Sequence, residues 1–415
     1  MAWETYYPDS PNMPEFSFVE NTVSIELTDW KSIGILKNEF PLPPGNGYAI
    51  EVVSDAPASW GNRVGVLAGF KESNGEIFCE IHLEPEIQEN GNLTFFCKLA
   101  AEREFVSVVL QPYCKWNTGK VTFSGFSISP WEPPPPRIAR IAVANISLTD
   151  GENTKTQRMA RLNAVLEKIQ ADEIRPDLIL FSETIADVEL DLTPEERFEA
   201  IPDGPTASFF ASWSKKLHCY IAGGIHELCD GFRYNTAVIT GRNGDFIGKY
   251  HKVNPTWGDS RNGIIPGNTH PVFKLDFGNV GFSICWDNWF GENARKLRLN
   301  GAELMLVPIA GDGIPSHRDM VWGGRAAENA MAAAYAPFYD VPDNRQYARI
   351  YDCEGKILAS TTENNSYIYA DIDFSKRIWI ERLSVPSRGE GRSLYIRERR
   401  DDLFPMNTPE SEEIL

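Results

Sequence analysis

Trp131-Glu132-Pro133-Pro134-Pro135-Pro136-Arg137-Ile138 is the stretch that decides how the chain divides. Its four successive prolines lack backbone N–H donors and favour a stiff polyproline II rod, so neither helix nor sheet runs through them. Towards the amino end, short apolar runs separated by turn residues lie at 22–27, 48–53, 63–70, 77–83, 93–99, 106–111 and 120–128. Little in that region repeats with helical period, which predicts an all-β sandwich for residues 1–132. Residues 133–137 form the linker. Beyond it, strand-like runs at 138–146, 178–181, 220–223, 236–240, 280–284 and 304–308 alternate with longer amphipathic stretches. In 158–171, Met159, Leu162, Val165, Leu166 and Ile169 fall near one helical face, and 207–217 and 288–299 also read as helices. Strands alternating with helices define an α/β domain over 138–375. The remaining residues, 376–415, are rich in Arg, Glu and Pro and read as an arm that packs on something else.

The 415 residues carry 40 basic and 58 acidic side chains, a net charge of −18. Such a surface repels phosphate backbones and anionic membranes, which argues against nucleic acid as a partner. At 42% hydrophobic and 24% charged the composition is that of a globular protein and excludes a disordered chain. No window approaches the ~18 apolar residues of a membrane span. The first sixteen residues have neither a basic nor an apolar signal region, and the seven cysteines form no CxxC pair. Both features predict a reducing, cytoplasmic setting with most cysteines inert. The six histidines form no HxH or HExxH, so neither a metal nor a cofactor is expected.

Three points in the α/β region place a reactive residue at the end of an apolar run. In Pro176-Asp177-Leu178-Ile179-Leu180-Phe181-Ser182-Glu183-Thr184, Glu183 closes a run suited to a strand covered on both faces. Taken alone it reads more readily as a strand-ending glutamate facing water. In Gly248-Lys249-Tyr250-His251-Lys252, Lys249 and Lys252 compete, and His251 reads as a packing residue. In Asn279-Val280-Gly281-Phe282-Ser283-Ile284-Cys285-Trp286-Asp287-Asn288 the cysteine closes a strand just before a helix, whose amino end would lower the thiol pKa. Its alternative reading is a small buried hydrophobe. Together the three suffice for hydrolysis through a thioester: a carboxylate to move protons, an ammonium to stabilise the oxyanion, a sulfur to attack.

In this order the set resembles the nitrilase, or carbon–nitrogen hydrolase, superfamily, over about residues 138–375. The likeness extends to Ile201-Pro202-Asp203-Gly204-Pro205-Thr206, Tyr234-Asn235-Thr236-Ala237-Val238-Ile239, Pro266-Gly267 and Gly324-Arg325-Ala326-Ala327-Glu328-Asn329. It selects Lys252 over Lys249. It implies an α-β-β-α sandwich paired into a homodimer, with the terminal arm crossing the contact. It also implies Cys285 as nucleophile, Glu183 as general base and acid, and Lys252 as oxyanion stabiliser. Two departures stand out. The family's second glutamate is absent from 257–262, where Asp259 is the candidate second carboxylate, and His251 stands where arginine is commoner.

Cys285-Trp286-Asp287-Asn288-Trp289-Phe290-Gly291-Glu292-Asn293-Ala294-Arg295 is similar to the block of N-carbamoylputrescine amidohydrolases. That similarity implies an amidohydrolase releasing ammonia from a small linear or carbamoyl amide, with Trp286 and Asp287 as substrate-binding candidates; the stretch 311–317 does not look like that family's, and His317 reads either as a pocket residue or as a loop histidine near solvent. An acidic loop residue, Asp312, would favour a cationic substrate. The competing functions are a thioester-forming N-acyltransferase, a nitrile hydrolase and a catalytically impaired glycan-binding protein. The last follows from residues 1–132, which resemble galactose-binding-like jelly rolls, with Trp30, Trp60, Trp116 and Trp131 as either sugar platforms or core.

Overall fold

A computed structural model of the chain describes residues 3–8, 12–147, 154–188, 190–311, 315–339, 347–381 and 387–405. Contacts divide these into two units. The first holds the residues through Pro135 together with those from Arg377 on, and the second spans Pro136–Lys376.

The first unit is an antiparallel β-sandwich. One sheet runs Glu4–Tyr6, Ile33–Pro41, Ser107–Lys115, Val64–Lys71, Ile77–His82, Arg388–Glu390, Trp379–Glu381. The other runs Glu15–Val19, Thr22–Leu27, Gly119–Pro130, Gly47–Pro57, Asn92–Ala100, Glu84–Ile87. Tyr48, Ile50 and Val52 point inward while Glu51 and Val53 face solvent, the period of two expected of a half-buried strand. Leu36, Val66 and Leu110 of one sheet meet Ile25, Phe95 and Val121 of the other in one core. The segment expected as an arm supplies two of these strands. Arg388 and Gly389 pair in parallel with Cys79 and Glu80, covering the open edge of Ile77–His82. The helix Gly391–Arg397 then caps the unit, with Arg397 donating to Asn62 Oδ1 at 2.9 Å and to the Val64 carbonyl at 2.8 Å.

The second unit is built on two sheets joined at one corner. Ser366–Asp373, Ile138–Ser147, Leu178–Leu180, Tyr220–Cys229, Phe232–Thr240 and Phe246–His251 form one sheet in that order. Val272–Lys274, Asn279–Phe282, Leu304–Ile309, Ala332–Tyr339, Ala348–Tyr351 and Ile357–Thr361 form the other. The pairs Ile146–Phe338 and Ser147–Tyr339 connect them. Alternation sorts the layers. Ile141, Val143, Leu178 and Leu180 enter the core shared with Leu304 and Leu306, whereas Ala142, Ala144, Ile179 and Phe181 pack under the helices Lys155–Ala171 and Pro205–Leu217. Helices Gly291–Leu299 and Pro315–Ala327 cover the second sheet through Leu297, Trp322 and Ala326. The result is an α-β-β-α sandwich. No helix among the described residues is long and apolar enough to cross a membrane.

Candidate active site

Glu183 sits just past the strand Leu178–Leu180, almost wholly buried. The neighbouring strand tolerates this because Gly224 has no side chain: a Cβ there would lie 2.6 Å from Glu183 Cα and from Thr184 N. Each carboxylate oxygen is held. Oε1 accepts from Asn235 Nδ2 at 2.7 Å and from Lys252 Nζ at 2.8 Å, and Oε2 accepts from the Ala310 N–H at 2.7 Å.

Lys252 follows the strand Phe246–His251, and its N–H donates to the Asn235 carbonyl at 2.9 Å. Its ammonium, itself buried, contacts Glu183 and also Asp259 Oδ2 at 2.9 Å. Burial opposes its charge, but the facing charges of Glu183, Cys285 and Asp259 outweigh that and hold its pKa above the ordinary lysine value. Burial likewise opposes ionisation of Asp259, and the Lys252 ammonium overcomes it, so this carboxyl lies below its usual range. Lys249 faces elsewhere: with His251 Nε2 (2.8 Å) and Thr236 Oγ1 (2.8 Å) it satisfies the buried Glu227. His251 also stacks on Tyr234, ring centroids 3.9 Å apart.

Cys285 occupies a left-handed backbone conformation, φ 46°, at the sharp turn after the strand Asn279–Phe282. Its thiol donates to the Gly311 carbonyl at 3.3 Å. The expected helix does not begin beside it. Cys285–Trp289 is a short 3-10 turn, and the α-helix starts only at Gly291. Asp287, expected against the substrate, is fully enclosed instead. Its oxygens accept from Tyr250 Oη (2.7 Å), Asn254 N (2.7 Å) and Ile284 N (3.0 Å), which leaves it to shape the turn. Trp286 is 43% exposed and meets Phe290 edge-on. His317 lies exposed on the helix Pro315–Ala327, and Asp312 falls outside the described residues.

A cavity of about 180 Å³ opens beside Glu183, walled also by Asn235, Asp259, Arg197, Phe198 and His226. The Ala310 N–H and His226 carried no signal in the sequence, since each acquires its place only through long-range pairing, and Asn235 lay in a family-like block without a role of its own. No group of three His, Cys, Asp or Glu side chains that could hold a metal occurs among the described residues. In the first unit a separate cavity of about 690 Å³ is lined by Trp3, Phe40, Phe126 and Asn38. Trp3 lies 5.0 Å from Phe126 and 6.1 Å from Phe40 between ring centroids, and the buried Asn38 Nδ2 has no partner among the described residues. Trp30, Trp60, Trp116 and Trp131 do not line it.

A double-sheet sandwich with a buried glutamate–lysine pair and a cysteine at a tight turn defines an enzyme of carbon–nitrogen bond hydrolysis. The sequence matches the carbon-nitrogen hydrolase family over residues 140–378, and the chain belongs to that family. It is 28% identical over 230 residues to nitrilase homolog 2 of Dictyostelium discoideum, covering 51% of this chain and 67% of that protein. It is 25% identical over 296 residues to the N-carbamoylputrescine amidase of Solanum lycopersicum, covering 65% of this chain and 94% of that one. In fold it is similar to an amidase of Nesterenkonia sp. AN1 solved in complex with acrylamide, with a TM-score of 0.52 at 17% identity, over 66% of this chain and 98% of that chain.

Proposed function

We propose that the protein hydrolyses a small linear amide or carbamoyl amide through a thioester on Cys285, releasing ammonia. Glu183 takes the thiol proton as sulfur bonds to the carbonyl carbon, and the C=O electron pair moves onto oxygen beside the Lys252 ammonium. Collapse of this adduct breaks the C–N bond, and Glu183 returns the proton to the departing amine. A water molecule, deprotonated by the same carboxylate, then cleaves the thioester to acid and thiol. Asp259 stands in for the second glutamate by holding Lys252 charged and in place. The observation that carries this reading is the 2.8 Å contact between Glu183 and Lys252, whose ammonium also feels the Cys285 charge.

The test is ammonia release across a panel of linear amides, carbamoyl amines and nitriles. Turnover of amides or carbamoyl amines is expected; turnover of nitriles alone would favour the nitrile hydrolase. Product formed only when an amine acceptor is added would favour the acyltransferase. Sedimentation should give the mass of the homodimer that the family resemblance implies.

A second reading concerns the first unit. The aromatic wall of its cavity and the unpartnered Asn38 amide support a saccharide ligand, with rings for the sugar face and an amide for its hydroxyls. Glycan-array binding by the full chain that is lost in Trp3→Ala is the expected result, and no binding would remove this reading.

A further inference from the structure

Successive residues of a strand point to opposite faces of its sheet. Asn235 and Lys252 reach Glu183 on one side, so Tyr234, Thr236 and His251 fall on the other. There they gather round a second buried carboxylate. Glu227 accepts from Thr236 Oγ1 at 2.8 Å, from His251 Nε2 at 2.8 Å and from the Lys249 ammonium. Burial opposes its ionisation, and these three donors overcome it, so the carboxyl lies below its usual range. Tyr234 stacks on the His251 ring, and the Cys229 thiol lies 3.9 Å from Lys249 Nζ and donates to Asp230 Oδ2 at 3.7 Å. Glu199 meets Glu227 through the backbone, while its own carboxylate is taken by Thr206 and Lys155. The hydrolysis proposed above makes no use of this second anion.

Backbone bonds tie the two faces together. Thr236 pairs with His251 at the end of the ladder, and the Lys252 N–H donates to the Asn235 carbonyl at 2.9 Å. The Gly267 N–H donates to the Lys252 carbonyl at 2.9 Å, and a Cβ on Gly267 would lie 2.3 Å from the His251 carbonyl oxygen. In so close a packing, a shift of His251 or Thr236 is passed to Lys252 and Asn235. Those are the two side chains that donate to Glu183 Oε1.

We infer that Glu227 is a positioning residue for the reaction: through Thr236 and His251 it anchors, from the far face of the sheet, the backbone that holds Asn235 and Lys252 against Glu183, and the His251 ring makes this anchor sensitive to pH. The inference rests on the amide-hydrolase reading and deepens it. A protonated imidazole bonds a carboxylate about twice as strongly as a neutral one. Histidine is also the side chain that loses its charge between about pH 5 and 8. The anchor is therefore tighter on the acid side and slackens on the alkaline side. An arginine at position 251 would keep its cation throughout.

The test compares the full native chain with Glu227→Gln and His251→Arg. One readout needs no turnover: the rate at which iodoacetamide alkylates Cys285, located by peptide mass, because Glu183 and Lys252 govern that thiol. Glu227→Gln should slow the alkylation. For an amide that the native enzyme turns over, it should also lower kcat per folded molecule about tenfold or more with little change in KM, the cost of slightly misplaced reacting groups. The native alkylation rate divided by that of His251→Arg should fall about threefold between pH ~6 and ~8.5, since only the native anchor loses a charge there. Native alkylation and native kcat in Glu227→Gln overturn the positioning role, even if its urea midpoint falls. A ratio that is constant with pH overturns the pH sensitivity. If Glu227→Gln fails to fold, the ratio decides the proposal. Turnover of no amide by the native chain strikes the amide-hydrolase reading instead, and the alkylation rates still decide whether Glu227 positions the cluster.

Discussion

The phenolic hydroxyl of Tyr250 donates to Oδ2 of Asp287 at 2.7 Å, joining the strand that leads to Lys252 to the turn that carries Cys285. The same carboxylate accepts the N–H of Ile284, just before the cysteine, and that of Asn254, just after the lysine. One buried anion therefore ties Lys252 to Cys285, which come from different sheets.

Replacing Tyr250 by Phe leaves that anion short of one donor. Stability should fall by about 1–3 kcal/mol in urea denaturation, the cost of an unsatisfied buried acceptor. The value of kcat should fall several-fold with little change in KM, because the loosened element carries chemistry and not substrate. Unchanged kcat and unchanged denaturation midpoint would show that the bond does not tie the two groups.

Burial pushes the Asp287 carboxyl up to about 6 from its ordinary 3.8. Between those values the folded protein keeps a proton that the unfolded chain has released, so this group favours folding as pH falls through the window and disfavours it above pH 6. The stability of the native chain minus that of Asp287→Asn should thus decrease by about 3 kcal/mol as pH rises from ~4 to ~7. A difference independent of pH would contradict it.

Asp259 is the second anion on Lys252 and also accepts the Thr256 N–H at 2.8 Å as a helix cap. Asp259→Asn keeps a capping oxygen but removes the charge, and kcat should drop by about 10²-fold, comparable to loss of one electrostatic group in an active site. Asp259→Glu, which retains the charge, should recover most of it. Native activity in Asp259→Asn would reduce Asp259 to a cap.

A methyl group on Gly224 would have to share space with the Glu183 backbone at 2.6 Å. Gly224→Ala should therefore cost about 1–3 kcal/mol of stability and lower kcat as well, since the carboxylate moves with its strand. Loss of stability without any effect on kcat would show that Glu183 is positioned from elsewhere.

The division at the prolines and the alternation of strands and helices were legible because each is local: missing N–H donors, runs of apolar residues, periods of two and 3.6. Glu183 and Cys285 were candidates for the same reason, each closing an apolar run, whereas Lys252 was separated from Lys249 only by the family resemblance. Their surroundings were not legible. Asn235 and Ala310 reach Glu183 across 52 and 127 residues of chain, and even the family-like block around Asn235 does not announce that contact. Asp287 adjoins the cysteine in sequence, which made it resemble a substrate contact. In the fold its oxygens are instead taken up by Tyr250, Asn254 and Ile284. The segment after Lys376 lacks strong strand character, and it pairs because the Ile77–His82 edge is open to receive it.

The proposed carbon–nitrogen cleavage passes through a covalent bond to one sulfur. Intact-mass spectrometry of acid-quenched enzyme during turnover of an amide measures that directly. The expected result is an adduct equal to the substrate less ammonia, located on Cys285 and absent from Cys285→Ala, which should release no ammonia. Continued turnover by Cys285→Ala, or an acyl group on any other residue, would contradict it.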